Sequence, residues 1–115
     1  MSTDRELLEL AAKAKGLVGY RYCDHWRGMA KWNDSDGGWF ETDTVWNPCR
    51  DDGDALRLAV RLGMKLSTNL HHRFVMVNDK QEFYDEAKFG GVCDPDGVMR
   101  RTIVQVAADI GRSMP

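Results

Sequence analysis

Asp94-Pro95 opens a stretch of helical periodicity that runs to about Ile110 and constrains everything before it. Asp94 suits an N-cap. Pro95 suits the first helical position, where its missing N–H would have no intrahelical partner in any case. Met99, Ile103, Val106 and Ile110 recur at helical spacing, and Arg101, Gln105, Asp109 and Arg112 form the polar stripe. A helix with one apolar stripe must bury it, so the remainder of the chain has to supply the covering layer.

Two more helices are written in the same way. Thr3-Asp4-Arg5-Glu6 reads as a capping box. Leu7, Leu8, Leu10, Ala11 and Ala14 follow, Lys13 and Lys15 suit the carboxyl end, and Gly16 stops a helix over residues 4–15. Asp51-Asp52-Gly53-Asp54 supplies acidic caps for a helix over 52–62. Its apolar set is Ala55, Leu56, Leu58, Ala59, Val60 and Leu62, interrupted only by Arg57 and Arg61, which predicts packing on most sides.

Between the helices lie strand signals. Tyr20, Tyr22, Trp26, Met29, Trp32, Trp39 and Phe40 alternate with Gly and Asp, and Asn33 to Gly38 is a turn cluster. Strands are expected near 17–22, 26–32 and 38–42, and again at 64–68, 72–78 and 81–86, with Asn78-Asp79 as a turn. The order helix, strands, helix, strands, helix predicts an α+β fold. Its packed form is an antiparallel sheet of about five strands covered by three helices, an αβα sandwich-like arrangement. At 115 residues the chain makes one domain, residues 1–115.

Composition narrows the function. Hydrophobic residues are 43% and charged residues 30%, with four Trp, four Phe and three Tyr, a globular rather than disordered balance. The net charge of −2 argues against general nucleic-acid binding, which depends on neutralising phosphates. No apolar run approaches the roughly 20 residues that span a bilayer, and the first residues carry no signal-peptide pattern. Cys23, Cys49 and Cys93 are odd in number and far apart, which favours reduced thiols in a cytosol.

Most chemical motifs are missing. Cys23, His25, Cys49, His71, His72 and Cys93 contain one Cys-x-His and no second ligand pair, so no metal is expected. Asp34, Asp36, Asp51, Asp52 and Asp54 lack the calcium-loop pattern and are explained by turns and caps. Cys23 beside His25 lacks an elbow, and Gly90-Gly91 lacks the Lys-Ser/Thr of a phosphate loop. With no catalytic constellation and no cofactor motif, the chain reads as a binding protein rather than an enzyme.

Arg100 stands out. By helical angle it groups with Val104 and Ala107, at the edge of the buried face, while Arg101 leads the polar stripe. A charge there needs a partner or a ligand. Guanidinium binds phosphate in a bidentate fork; the ordinary alternative is a salt bridge to a local carboxylate such as Asp94 or Asp96. Trp46, Tyr84 and Phe89 could stack on a base, or could be core.

Three segments carry a family resemblance. They are Asp4-Arg5-Glu6-Leu7-Leu8-Glu9-Leu10, then Trp46-Asn47-Pro48-Cys49-Arg50-Asp51 through Leu62, and Pro95-Asp96-Gly97-Val98-Met99-Arg100-Arg101-Thr102-Ile103. In this order they resemble phage proteins of the αβα-sandwich and NinX-like accessory group, over about half the chain. The closing helix of that group starts with apolar residues, where Asp96-Gly97 stand here. One branch, the anti-Thoeris sponges, sequesters cyclic ADP-ribose isomers, and some members hold cyclic oligonucleotides. The resemblance implies a homo-oligomer in the host cytoplasm, with Arg100 as a ligand contact. Asn47, Arg50 and an aromatic such as Trp46 or Tyr84 are expected to shape the pocket. The expected function is sequestration of a cyclic nucleotide immune signal without cleavage. The alternative is a protein-binding inhibitor of a host defence enzyme, anchored by aromatics from residues 20–46; a small enzyme of nucleotide metabolism ranks last.

Overall fold

The closing helix is the hub of the molecule. The computed structural model describes residues 3–33, 37–39, 45–69, 71–83 and 95–114. In chain order the elements are α1 (Asp4–Lys15), β1 (Tyr20–Cys23), β2 (Gly28–Asn33), β3 (Gly38–Trp39), α2 (Asp52–Arg61), β4 (Leu66–Asn69), β5 (Phe74–Val77), β6 (Lys80–Phe83) and α3 (Pro95–Ser113). Helix α3 starts at Pro95, as its sequence requires; Asp94 lies outside the described residues. It packs on α1, α2, β5 and β6 together. Its buried residues are therefore Val98, Thr102, Ile103, Val104, Ala107, Ala108 and Gly111, a wider face than the stripe led by Met99. Met99 and Val106 are only partly buried. Thr102, the buried polar side chain of this face, donates its hydroxyl to the Val98 carbonyl at 2.7 Å and is satisfied.

Helix α1 buries Leu7, Leu8, Ala11 and Ala12 against α3 and the first strands. The Thr3 hydroxyl oxygen accepts the Glu6 N–H at 3.2 Å, and Gly16 ends the helix in the left-handed region at φ 86. Asp51 caps α2 by accepting the Asp54 N–H at 2.7 Å. Helix α2 buries Ala55, Leu58 and Ala59 but leaves Leu56 and Val60 57% and 72% exposed. The expectation that it is packed on most sides is corrected: among the described elements α2 packs mainly on α3.

The sheet differs from expectation as well. Among the described residues six strands form two antiparallel sheets, β1-β2-β3 and β4-β5-β6, instead of one sheet of about five. Tyr20 pairs with Lys31 and Trp32 with Trp39 in the first; Leu66 pairs with Val77 and Phe74 with Phe83 in the second. The first sheet packs on α1 and the second on α3. The helices thus form the centre, and the αβα sandwich-like layering is not what the chain adopts. Local hairpins explain this: each strand pairs with its neighbour in sequence, and the buried strips are too narrow to demand one continuous sheet. In β5 only Val75 and Val77 are buried, and Leu66, Ser67 and Thr68 of β4 stay exposed. The Asn78 turn is as expected, with Asn78 at φ 54 and its side-chain oxygen accepting the Lys65 N–H at 2.9 Å. Residues 40–42 and 84–86 of the expected strands lie outside the described residues. Among the described residues no helix is long and apolar enough to cross a membrane.

Candidate functional site

The segment from Val45 to Asp52 is fixed by a close approach to β2. A Cβ on Gly28 would overlap the Val45 side chain, so glycine allows the two backbones to meet. Met29 and Trp46 then exchange backbone hydrogen bonds of 2.8 and 2.9 Å. Asn47 secures the next turn. Its N–H donates to Asp54 at 2.9 Å, its side-chain oxygen accepts the Cys49 N–H at 3.0 Å, and its amide donates to the Arg27 carbonyl.

Arg100 reaches this segment from α3. Its Nε donates to the Cys49 carbonyl at 3.1 Å, and its Nη1 pairs with Asp52 at the start of α2. Asp52 lies 48 residues away in sequence, and of the expected local partners Asp94 lies outside the described residues. The Arg100 side chain is largely covered whereas that of Asp52 is exposed. Arg100 therefore ties α3 to the α2 cap. Arg101, on the polar stripe, pairs with Asp4 at 2.8 Å and ties α3 to α1.

Of the expected ligand residues, Trp46, Asn47 and Arg50 lie on one connection, which Arg100 contacts. Asn47 and Arg100 hold the same connection, and Arg50 is exposed on it. Trp46 is buried beside Lys15 instead. Tyr84, like Phe89 and Cys93, lies outside the described residues. The cavities of about 640, 450 and 230 Å³ lined by described residues do not include Arg100, Asn47 or Arg50. Burial, reinforced by the Asp4 carboxylate, pushes the Cys49 thiol up to about 11. It is thus a protonated thiol at neutral pH and a poor nucleophile.

A different place has the character of a binding site. A groove of about 640 Å³ runs between α1 and the β1–β2 hairpin. Tyr20, Tyr22 and Trp32 line it, together with Arg5, Lys13 and Arg21. The Arg21 guanidinium lies 4.7 Å from the Trp32 ring centre, and that of Arg5 lies 5.7 Å from the Tyr22 ring centre. Glu9 holds Arg5 at 2.8 Å, and Lys13 donates to the Met114 carbonyl at 3.0 Å. The size suits a small organic ligand. The lining alternates flat aromatic faces with cations and offers one carboxylate.

Part of this groove is visible in the sequence. Arg5, Glu9 and Lys13 recur every fourth residue and share one face of α1. Tyr20 and Tyr22, two apart, emerge on one face of β1. Nothing local brings those two faces together. Among the described residues no three of His, Cys, Asp or Glu are placed to hold a metal ion. Compared with protein-family models, curated proteins and solved structures, the chain matches none.

Proposed function

We propose that this chain is a phage accessory anti-defence protein that binds and sequesters a cyclic nucleotide immune signal without cleaving it. The α1–β1–β2 groove is the site in this reading, and the cation-aromatic lining carries it. Such a ligand combines planar bases, which stack on Trp32 or the tyrosines, with phosphates, which attract Arg5, Lys13 and Arg21. Glu9 offers an acceptor to sugar hydroxyls or an exocyclic amine. Its carboxylate is committed to Arg5, which makes it a poor general base and favours holding over turnover. The resemblance of the three sequence segments to NinX-like proteins points to the same ligand class, and self-association belongs to the same reading.

The competing reading, a protein-binding inhibitor, needs exposed aromatic anchors. Among the described Trp and Tyr side chains from residues 20–46 only Trp26 is exposed; Tyr20, Tyr22 and Trp32 are half-buried and Trp46 is buried. The groove therefore favours a small molecule.

The test is depletion. The protein is incubated with a cyclic ADP-ribose isomer or a cyclic oligonucleotide, removed by filtration and heated, and the released material is analysed. Intact ligand is expected, and Trp32→Ala and Arg21→Gln should each reduce depletion at least tenfold. Arg100→Ala, where it stays folded, should deplete normally, because Arg100 does not line this groove. Altered ligand would mean an enzyme. No depletion of either class at micromolar protein would sink the proposal.

A further inference from the structure

The second sheet turns its two faces to different surroundings. Val75 and Val77 of β5 are buried, and Val75 packs with Val98 of α3. Among the described elements it is α3 that packs on this sheet, and it takes that side. The pairing register puts two rows on the opposite face: Asn69, Phe74 and Phe83, and beside them Ser67, Met76 and Gln81. Phe74 and Phe83 meet edge to face with ring centres 5.6 Å apart, and Phe83 is 45% exposed. Neither row carries a carboxylate; Glu82 is paired with Val75 and so belongs to the α3 side.

The turn into β5 adds positive charge at the end of the sheet where the two phenylalanines lie. His71, His72 and Arg73 are exposed there, and Arg73 makes no ion pair among the described residues. The Asn69 side-chain oxygen accepts the His72 N–H at 2.9 Å and fixes the turn beside the aromatic row. Arg73 has φ 54, in the left-handed region, where glycine or asparagine fits with less strain. Asn78, at the other end of β5, has the same φ and is a residue such turns ordinarily take. The turn alone does not account for an arginine in that backbone.

We propose that this face is a stacking platform for one or two unpaired bases of single-stranded nucleic acid. An aromatic ring on an open sheet face accepts any base, because every base has a π-face. Arg73 supplies charge for the adjoining phosphate, and the absence of carboxylates from both rows avoids repelling the backbone. The net charge of −2 keeps phosphate attraction small. The affinity therefore rests on stacking, and its salt dependence is shallow, about that of one phosphate. The inference does not depend on the α1–β1–β2 groove or on what the groove binds.

The full chain is titrated into fluorescein-labelled strands of about eight nucleotides, one of thymidylate and one of uridylate, and anisotropy is read. One or both should bind saturably, and the preference separates DNA from RNA; a duplex of the same length should not bind. Phe83→Leu keeps the apolar bulk but removes the stacking face, and should weaken binding at least about fivefold. Arg73→Gly should weaken it at least about threefold, yet unfold no sooner than wild type, because glycine relieves the left-handed backbone. Trp32→Ala, in the groove, should bind as wild type does. No binding at about 100 μM protein would overturn the proposal, as would equal binding by the duplex or by Phe83→Leu. An Arg73→Gly chain that is less stable, or that binds equally, would remove Arg73 from the site. Binding lost in Trp32→Ala alone would move the site to the groove and refute the platform. Self-association that Phe83→Leu abolishes, with no strand bound, would give the face to a second copy of the chain instead.

Discussion

Two side chains facing one connection make opposite demands on the solvent. Arg100 brings a charge to a covered position and satisfies it with the Cys49 carbonyl and the Asp52 carboxylate. Because Asp52 is 77% exposed, the ion-pair component is screened, and the carbonyl bond with the buried stem matters more. Arg100→Gln should therefore lower stability by about 1–2 kcal/mol in urea unfolding, and Asp52→Asn by less than about 1. Equal losses would show that the ion pair dominates. Cys49 behaves differently, because burial raises its thiol from 9.0 to about 11. In the unfolded chain the thiol ionises near its ordinary value, so between pH 9 and 11 the unfolded state binds fewer protons. Stability should be unaffected by this group below pH 9, fall as pH rises, and lose about 2–3 kcal/mol by pH 11. The measurement is the difference between wild type and Cys49→Ala in urea unfolding from pH 8 to 11; parallel curves would refute it.

At the scale of elements, the crossing of α1 and α3 depends on one absent methyl group. Helical propensity favours alanine over glycine by about 1 kcal/mol, so Gly111→Ala would stabilise an isolated α3. Here the new Cβ would overlap the Leu10 carbonyl on α1, which is backbone and cannot rotate away. Overpacking costs about 1–3 kcal/mol, so the substitution should be net destabilising and lower the thermal midpoint by several degrees. A variant as stable as wild type would mean the helices do not cross this closely. The sequence carries no sign of this contact, since a glycine within a helix reads only as a local weakness. The helix starts, by contrast, are local chemistry: Thr3, Asp51 and Pro95 mark them where the structure has them. The hairpins are local too, and six strands stand close to their expected positions. Whether two hairpin sheets join is decided by long-range packing, so the division into two sheets was not legible. The same limit applies to the sites. The angle of Arg100 on its helix could be read from spacing, but its partner Asp52 could not. Arg5, Glu9 and Lys13 share a readable face, yet the aromatic wall opposite them is assembled only by the fold.

The whole molecule is elongated, with extents of 52 × 30 × 25 Å and a radius of gyration of 14.9 Å, against about 13 Å for a compact chain of this length. Such a shape leaves much of α2 without a covering layer. Leu56 and Val60, one turn apart, are both exposed. Asp51, Asp52 and Asp54 crowd its amino end, and Arg61 stands at its carboxyl end. Two copies of α2 meeting antiparallel across a two-fold axis would place Leu56 and Val60 against their equivalents. Each acidic end would then face the partner's Arg61, so that one patch complements itself. This gives the homo-oligomer of the proposed function a specific form. Sedimentation between about 1 and 100 μM protein should show a monomer–dimer equilibrium that weakens as salt rises, because the end contacts are exposed ion pairs. The double substitution Leu56→Glu and Val60→Glu should give a monomer with unchanged far-UV dichroism, since neither side chain is needed by the core. A wild type that stays monomeric across that range would remove the α2 face as the interface. The groove between α1 and the β1–β2 hairpin is built within one chain, so the dissociated variant should still deplete its ligand.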